Sequence, residues 1–134
     1  MCLVSAVVVD TSVWVQFFRG DSLRALENAL SDGLVLLCPI VAAELLSAPL
    51  TKRERASLTD FLTDLPMAAT PREHWFAVGA LRAEAAKMGL TLSTPDAHVA
   101  QCARDVGGAV WSRDAIFQKL ARKRLVMVAP WTSA

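Results

Sequence analysis

No part of this chain is free of charge for long: the longest run without Asp, Glu, Lys or Arg extends from Gly33 to Ala43, short of the roughly 18 to 20 residues that cross a bilayer. A membrane-spanning helix is thereby excluded. The opening MCLVSAVVVD has no basic residue ahead of its apolar run and no small-residue cleavage site before Asp10, so it reads as a strand and not as a secretory leader, and a cytoplasmic protein is expected. Cysteine is scarce as well. Cys2, Cys38 and Cys102 form an odd set with no metal-ligand spacing, each among apolar neighbours, which argues against a disulfide framework and suits reduced, buried thiols. Net charge is nearly absent, 14 Lys and Arg standing against 13 Asp and Glu, so any nucleic acid must be held by local patches and not by a global basic field. Repeats and low-complexity linkers are missing too. At 134 residues with 54% hydrophobic content, the chain suits a single domain over 1–134 whose core needs neither disulfides nor a structural metal.

What is present is an alternation of short β-branched runs with longer helical periods, the pattern of an α/β domain with a central, mostly parallel sheet flanked by helices. Val7, Val8 and Val9 read as a strand buried on both faces. A helix follows through Trp14, Phe17 and Phe18 to Gly20, and Asp21 and Ser22 offer caps for another that ends near Leu30. Leu34 to Leu37 form a second strand, Pro39 starts a helix that Pro49 ends, and Thr51 with Glu54 and Thr70 with Glu73 match the capping-box spacing. Pro71 fits a first helical position and Gly89 a stop. Thr94 and Pro95 open a helix that Gly107 and Gly108 close; Ala109 to Trp111 and Leu125 to Val128 then read as strands around a last helix.

Charge is distributed unevenly. Residues 1–18 contain only Asp10, residues 33–51 only Glu44, and residues 88–103 only Asp96, with His98 taken as neutral. Each lone charge is a carboxylate. A buried carboxylate is costly to ionise without a partner, so these three either cap helices or converge on something cationic. Asp10, where a strand turns into a helix, could be a simple N-cap. Asp96 lies in a first helical turn, where the helix dipole favours an acid in any case. Glu44 sits well inside its helix, where the alternative is a rim residue facing water. A fourth acid, Asp114, follows the strand Ala109 to Trp111 and could equally be a cap. Two acids just past strand ends and one at a helix start all fall, in an open α/β sheet, at the carboxyl edge where ligands bind.

The runs VVVDTSVW, AAELL, STPDAHVA and WSRDAIF, in this order and spacing, resemble the PIN-domain ribonucleases, and among them the VapC toxins of bacterial and archaeal toxin–antitoxin modules. The resemblance covers nearly the whole chain. It implies a PIN-like fold and RNA cleavage with Mg²⁺ or Mn²⁺ held by Asp10, Glu44, Asp96 and Asp114, with Ser12 and Ser112 positioning acids or water. It also implies a VapB-type antitoxin as partner, whose C-terminal segment packs into an apolar groove, and a homodimer or toxin–antitoxin hetero-oligomer. Ser112 stands where the family often has threonine, which keeps the hydroxyl. Ile116 stands where some members carry a further aspartate, which leaves the acid cluster at its minimum.

The chemistry is coherent without the family name. Carboxylates drawn together repel, and a hard divalent cation with oxygen ligands relieves that repulsion while activating water and neutralising phosphoryl charge. Nothing suggests a side-chain nucleophile: there is no G-x-S-x-G elbow, and no histidine stands at a recognisable spacing from Cys38 or Cys102. His98, two residues after Asp96, is expected to pack or face the surface, and His74 to be structural. Lys52-Arg53-Glu54-Arg55 and Arg122-Lys123-Arg124 read as solvated helix ends that could also meet phosphates. Trp14, Phe17 and Phe18 read as core, with part of their face available to a partner. The competing functions are a non-enzymatic PIN-like RNA-binding or regulatory module, against which all four acids argue, and a flap-type DNA nuclease, for whose DNA-gripping segments the chain is too short.

Overall fold

A computed structural model describes residues 6–129. Its centre is a three-stranded parallel sheet of β1 (Val7–Val9), β2 (Val35–Leu36) and β3 (Ala109–Trp111), ordered β2-β1-β3. Val7 pairs with both Val35 and Ala109, Val8 with Leu36 and Val110, and Val9 with Trp111. The three valines of β1 are fully buried, as a parallel strand covered on both faces requires. Around the sheet run α1 (Thr11–Phe18), α2 (Arg24–Ser31), α3 (Pro39–Leu46), α4 (Lys52–Thr63), α5 (Arg72–Lys87), α6 (Thr94–Asp105) and α7 (Ala115–Arg122). Among the described residues no helix is long and apolar enough to cross a membrane. Cys2 lies outside the described residues, while Cys38 and Cys102 are free and buried as expected.

Because β1 lies between the other two strands, the chain leaves it toward β2 on one side and later returns to it as β3 on the other. A crevice opens at such a reversal, at the carboxyl ends of the strands. Gly108 brings β3 into place: a Cβ there would meet the Ala6 carbonyl oxygen at 2.6 Å, so only glycine lets the backbones approach this closely.

The expected elements form, with four local differences. Helix α2 begins at Arg24 with Leu23 as its uncapped N-terminal neighbour, so Asp21 and Ser22 cap nothing; Leu23 packs on the core and sets the helix start instead. The Thr51–Glu54 capping box is complete, whereas Thr70–Glu73 makes none, because Pro71 itself takes the N-cap in extended conformation and disfavours helical geometry at the residue before it. Ser93, one residue before the expected start, caps α6 through the Asp96 amide at 3.2 Å. Leu125 to Val128 forms a single bridge, Val128 with Val110, in place of a strand. The basic run of α4 is partly committed: the Arg55 guanidinium donates to the Leu46 and Ala48 carbonyls at the end of α3, satisfying groups a helix terminus leaves orphaned.

Candidate active site

Strand β1 delivers Asp10 to the carboxyl edge, where its amide is tied to the Trp111 carbonyl of β3 at 2.9 Å. Asp10 occupies the N-cap position of α1, yet its side chain makes no capping hydrogen bond. Its carboxylate faces two hydroxyls instead. Ser112 Oγ donates to Asp10 Oδ2 at 2.7 Å, and Ser12 Oγ lies 3.3 Å from the same oxygen. Both hydroxyls are themselves fixed by backbone donors, Ser112 by the Asp114 amide at 3.0 Å and Ser12 by the Arg113 amide at 3.1 Å. Asp10, only 8% exposed as a residue, thus has its carboxylate held by charge-assisted hydrogen bonds and not by the helix it precedes.

The other three acids arrive from three further elements. Glu44, exposed on α3, accepts from Thr11 Oγ1 at 2.7 Å, which joins it to the head of α1. Asp114 caps α7, its Oδ1 accepting from the Ile116 amide at 3.1 Å; the plain-cap alternative holds for that oxygen. Asp96, half-buried in the first turn of α6, reports on the whole group. Burial pushes its carboxyl above the usual range, and the charges of Asp114, Asp10 and Glu44 add to the rise against the lowering effect of Ser93. Asp114, Asp10 and Glu44 are thus near enough to act on Asp96 through their charge. Among the described residues none has a Lys or Arg side chain within 4.0 Å. The donor set consists of carboxylates and hydroxyls, hard oxygen donors that fit a cation of the Mg²⁺ or Mn²⁺ type.

Sequence reasoning missed a second cluster below this edge. Of the two roles expected of His98, packing is the one observed: it is fully buried, and its Nδ1 lies 2.9 Å from Nε2 of the equally buried His74. His74 Nδ1 in turn lies 2.6 Å from Asp105 Oδ2, and His98 Nε2 lies 3.5 Å from Cys102 Sγ. Residues 98 and 102 are one helical turn apart and share a face, a signal that was available. The meeting with Cys38 and His74 depends on tertiary packing and was not.

The aromatic residues of α1 divide. Trp14 is fully buried, stacked 5.7 Å from Phe18, with Phe61 of α4 edge-on at 5.6 Å. Phe17 is half-buried and Phe18 is 44% exposed; with Phe61, Leu58 and Leu50 they wall a groove of ≈540 Å³ whose rim carries Arg53 and Glu54.

Comparison with known proteins agrees with this architecture. The family model for the PIN domain matches residues 7–123. Ribonuclease VapC11 of Mycobacterium tuberculosis is 32% identical over 124 residues, covering 87% of this chain and 92% of that protein; VapC ribonuclease Mb1587 of Mycobacterium bovis matches to the same extent. Among solved structures, VapBC2 from Rickettsia felis bound to a promoter DNA fragment superposes with a TM-score of 0.76 at 18% identity, covering 94% of this chain and 98% of that one. DNA-bound VapBC from Salmonella typhimurium gives 0.77 at 18% identity over 92% and 96%. At that identity the structures speak for the fold, and the mycobacterial relatives for the family. A match running from β1 into the end of α7, with near full-length relatives among the VapC ribonucleases, places this chain in the PIN-domain family as a VapC-type member.

Proposed function

We propose that this protein is an endoribonuclease toxin that hydrolyses RNA phosphodiester bonds with Mg²⁺ or Mn²⁺ held by Asp10, Glu44, Asp96 and Asp114, and that a VapB-type antitoxin neutralises it. The observation that carries the reading is the Asp10 carboxylate at the end of β1, held by the hydroxyls of Ser112 and Ser12 and with no Lys or Arg paired to it among the described residues, while Asp114, Asp10 and Glu44 all act on Asp96. Such a group is unfavourable unless something positive completes it. A bound divalent cation supplies an activated water and stabilises charge on the phosphoryl oxygens.

The chain's own residues prepare that chemistry. Ser112 and Ser12 hold Asp10 Oδ2 in one direction, so the carboxylate is oriented before any ligand arrives. Thr11 does the same for Glu44. Asp114 uses Oδ1 to accept the Ile116 amide, while its charge acts on Asp96. Asp10 and Asp114 follow the carboxyl ends of β1 and β3, the edge where ligands bind in open α/β sheets, which supports a polymer substrate at this place. The inhibitor is proposed to seat apolar side chains in the aromatic groove at the far end of α1. Ser12 and Phe18 are six residues apart on one helix, about 9 Å along its axis, so a bound peptide reaches from groove to acids.

The test is cleavage of an RNA panel by purified protein with Mn²⁺, with Mg²⁺ and with excess chelator, alongside Asp10→Asn. Cleavage restored by either ion and lost in the variant supports the proposal. Cleavage that survives chelation, or undiminished activity in folded Asp10→Asn, refutes it.

A further inference from the structure

We propose that Cys38, His98 and Cys102 form a second metal site, chemically unlike the carboxylate cluster, that takes a thiophilic ion of the Zn²⁺ type. Cys38 is the residue before α3, while His98 and Cys102 project from one face of α6. Their ligand atoms all lie within 4.8 Å of one another. The 3.5 Å between His98 Nε2 and Cys102 Sγ matches a tetrahedral edge of about 3.5 Å, which follows from Zn–S near 2.3 Å and Zn–N near 2.0–2.1 Å. All three side chains are at most 1% exposed.

The surroundings select the ligating form of His98. With His74 neutral and its proton on Nδ1 toward Asp105, His74 Nε2 accepts from His98 Nδ1. The proton of neutral His98 therefore sits on Nδ1, and the Nε2 lone pair is aimed at the sulfurs. Gln101 holds the other Asp105 oxygen at 2.8 Å, which locks the relay. A carboxylate and hydrogen-bonded imidazole behind a ligating histidine is the arrangement that fixes its tautomer and strengthens its donation. The Ile40 amide also approaches Nε2, but at 3.5 Å, long for a nitrogen donor.

The donor set decides the ion. Two sulfurs and an imidazole favour Zn²⁺ over the oxygen-seeking Mg²⁺ or Mn²⁺. Binding converts two thiols to thiolates and releases two protons, so the dication and two thiolates sum to zero charge in the core. The hydrogen bond from Cys38 already pulls the Cys102 thiol below its ordinary value, while burial pushes Cys38 up. A cavity of ≈400 Å³ borders Cys102, His74 and Asp105, so the cluster lies next to a cavity on the Cys102 side. Such an ion would clamp α3 to α6, the helices that carry Glu44 and Asp96.

The test uses the full chain in a Cys2→Ser background, reduced and stripped of metal, with Co²⁺ as the probe. Thiolate-to-cobalt charge-transfer absorption should grow to saturation at one ion per chain and be bleached by one equivalent of Zn²⁺. It should persist in Asp10→Asn, which separates this site from the acid cluster, and vanish in Cys102→Ser. His74→Gln should weaken Zn²⁺ binding by about 10- to 100-fold. No charge-transfer band in the Cys2→Ser protein, which requires no core variant to fold, overturns the proposal: the cluster is then a hydrogen-bonded core network only. A band that survives in folded Cys102→Ser, or disappears in Asp10→Asn, overturns it as well.

Discussion

Replacing Ser112 with alanine removes one oxygen from the molecule and, on the geometry of the acid edge, a disproportionate amount of stability. Ser112 is 7% exposed, and its hydroxyl donates to Asp10 Oδ2 at 2.7 Å and receives the Asp114 amide at 3.0 Å. A hydrogen bond to a charged group contributes about 1.5–3 kcal/mol, and the loss is greatest where water cannot take its place. With an unfolding entropy of about 2.1 cal/mol/K per residue, a chain of 134 residues has roughly 0.28 kcal/mol/K, so the melting temperature should fall by about 5–11 °C. Thermal melts in excess chelator measure this without interference from bound ions. RNA cleavage should fall together with stability, since Asp10 loses the donor that orients it, and Ser112→Thr, which keeps the hydroxyl, should restore most of both. If Ser112→Ala melts within a degree of the parent and cleaves at the parental rate, the hydroxyl is packing and Asp10 is not positioned in this way.

Asp96→Asn should stabilise the metal-free protein at neutral pH. A carboxyl whose value is raised by burial and by Asp114, Asp10 and Glu44 binds more protons folded than unfolded, so its contribution to stability falls as pH rises from its ordinary value through its raised one. The advantage of the variant should accordingly disappear in acid below the ordinary carboxylate range, and denaturant titrations across pH check it; a variant less stable than the parent at pH 7 contradicts the sign. For the partner groove, Phe18 is 44% exposed, so only about half of the 1.5–3 kcal/mol of a large apolar side chain remains for an antitoxin to bury, roughly 1 kcal/mol or about fivefold in affinity. Phe18→Ser should weaken antitoxin binding by that factor with cleavage retained, and unchanged affinity in the folded variant places the groove elsewhere.

Much of this architecture can be read from residue order because the signals are local. Three consecutive valines before Asp10 specify a strand buried on both faces, and Thr51 with Glu54 specifies a helix start that the structure forms in full. The acids were legible for a different reason: a lone carboxylate in an apolar segment is conspicuous, and Asp10, Glu44 and Asp96 each stood alone. The remaining differences arise where neighbours in space decide. Ser93 and Thr94 both suit a cap, and backbone geometry selects Ser93. Leu125 to Val128 has strand composition but meets β3 at one pair only. The packing of α5 on α6 brings His74 to His98 and to Asp105 across 24 and 31 residues of sequence separation, and no periodicity reveals such a meeting. The same holds for Trp14 and Phe18, neighbours on one helix of which one is core and the other groove wall.

If four carboxylates act together as one cation site, Mn²⁺ should stabilise the parent protein more than Glu44→Gln, and thermal melts of the two read this out. Ions that bind the folded cluster and not the dispersed acids of the unfolded chain raise the melting temperature with concentration. Glu44 is exposed and joined to its surroundings through Thr11, so Gln preserves the fold while removing one ligand charge. The melting temperature should rise in graded fashion in the parent and distinctly less in the variant. Equal rises in the two proteins, or none in either, would contradict a single four-carboxylate site.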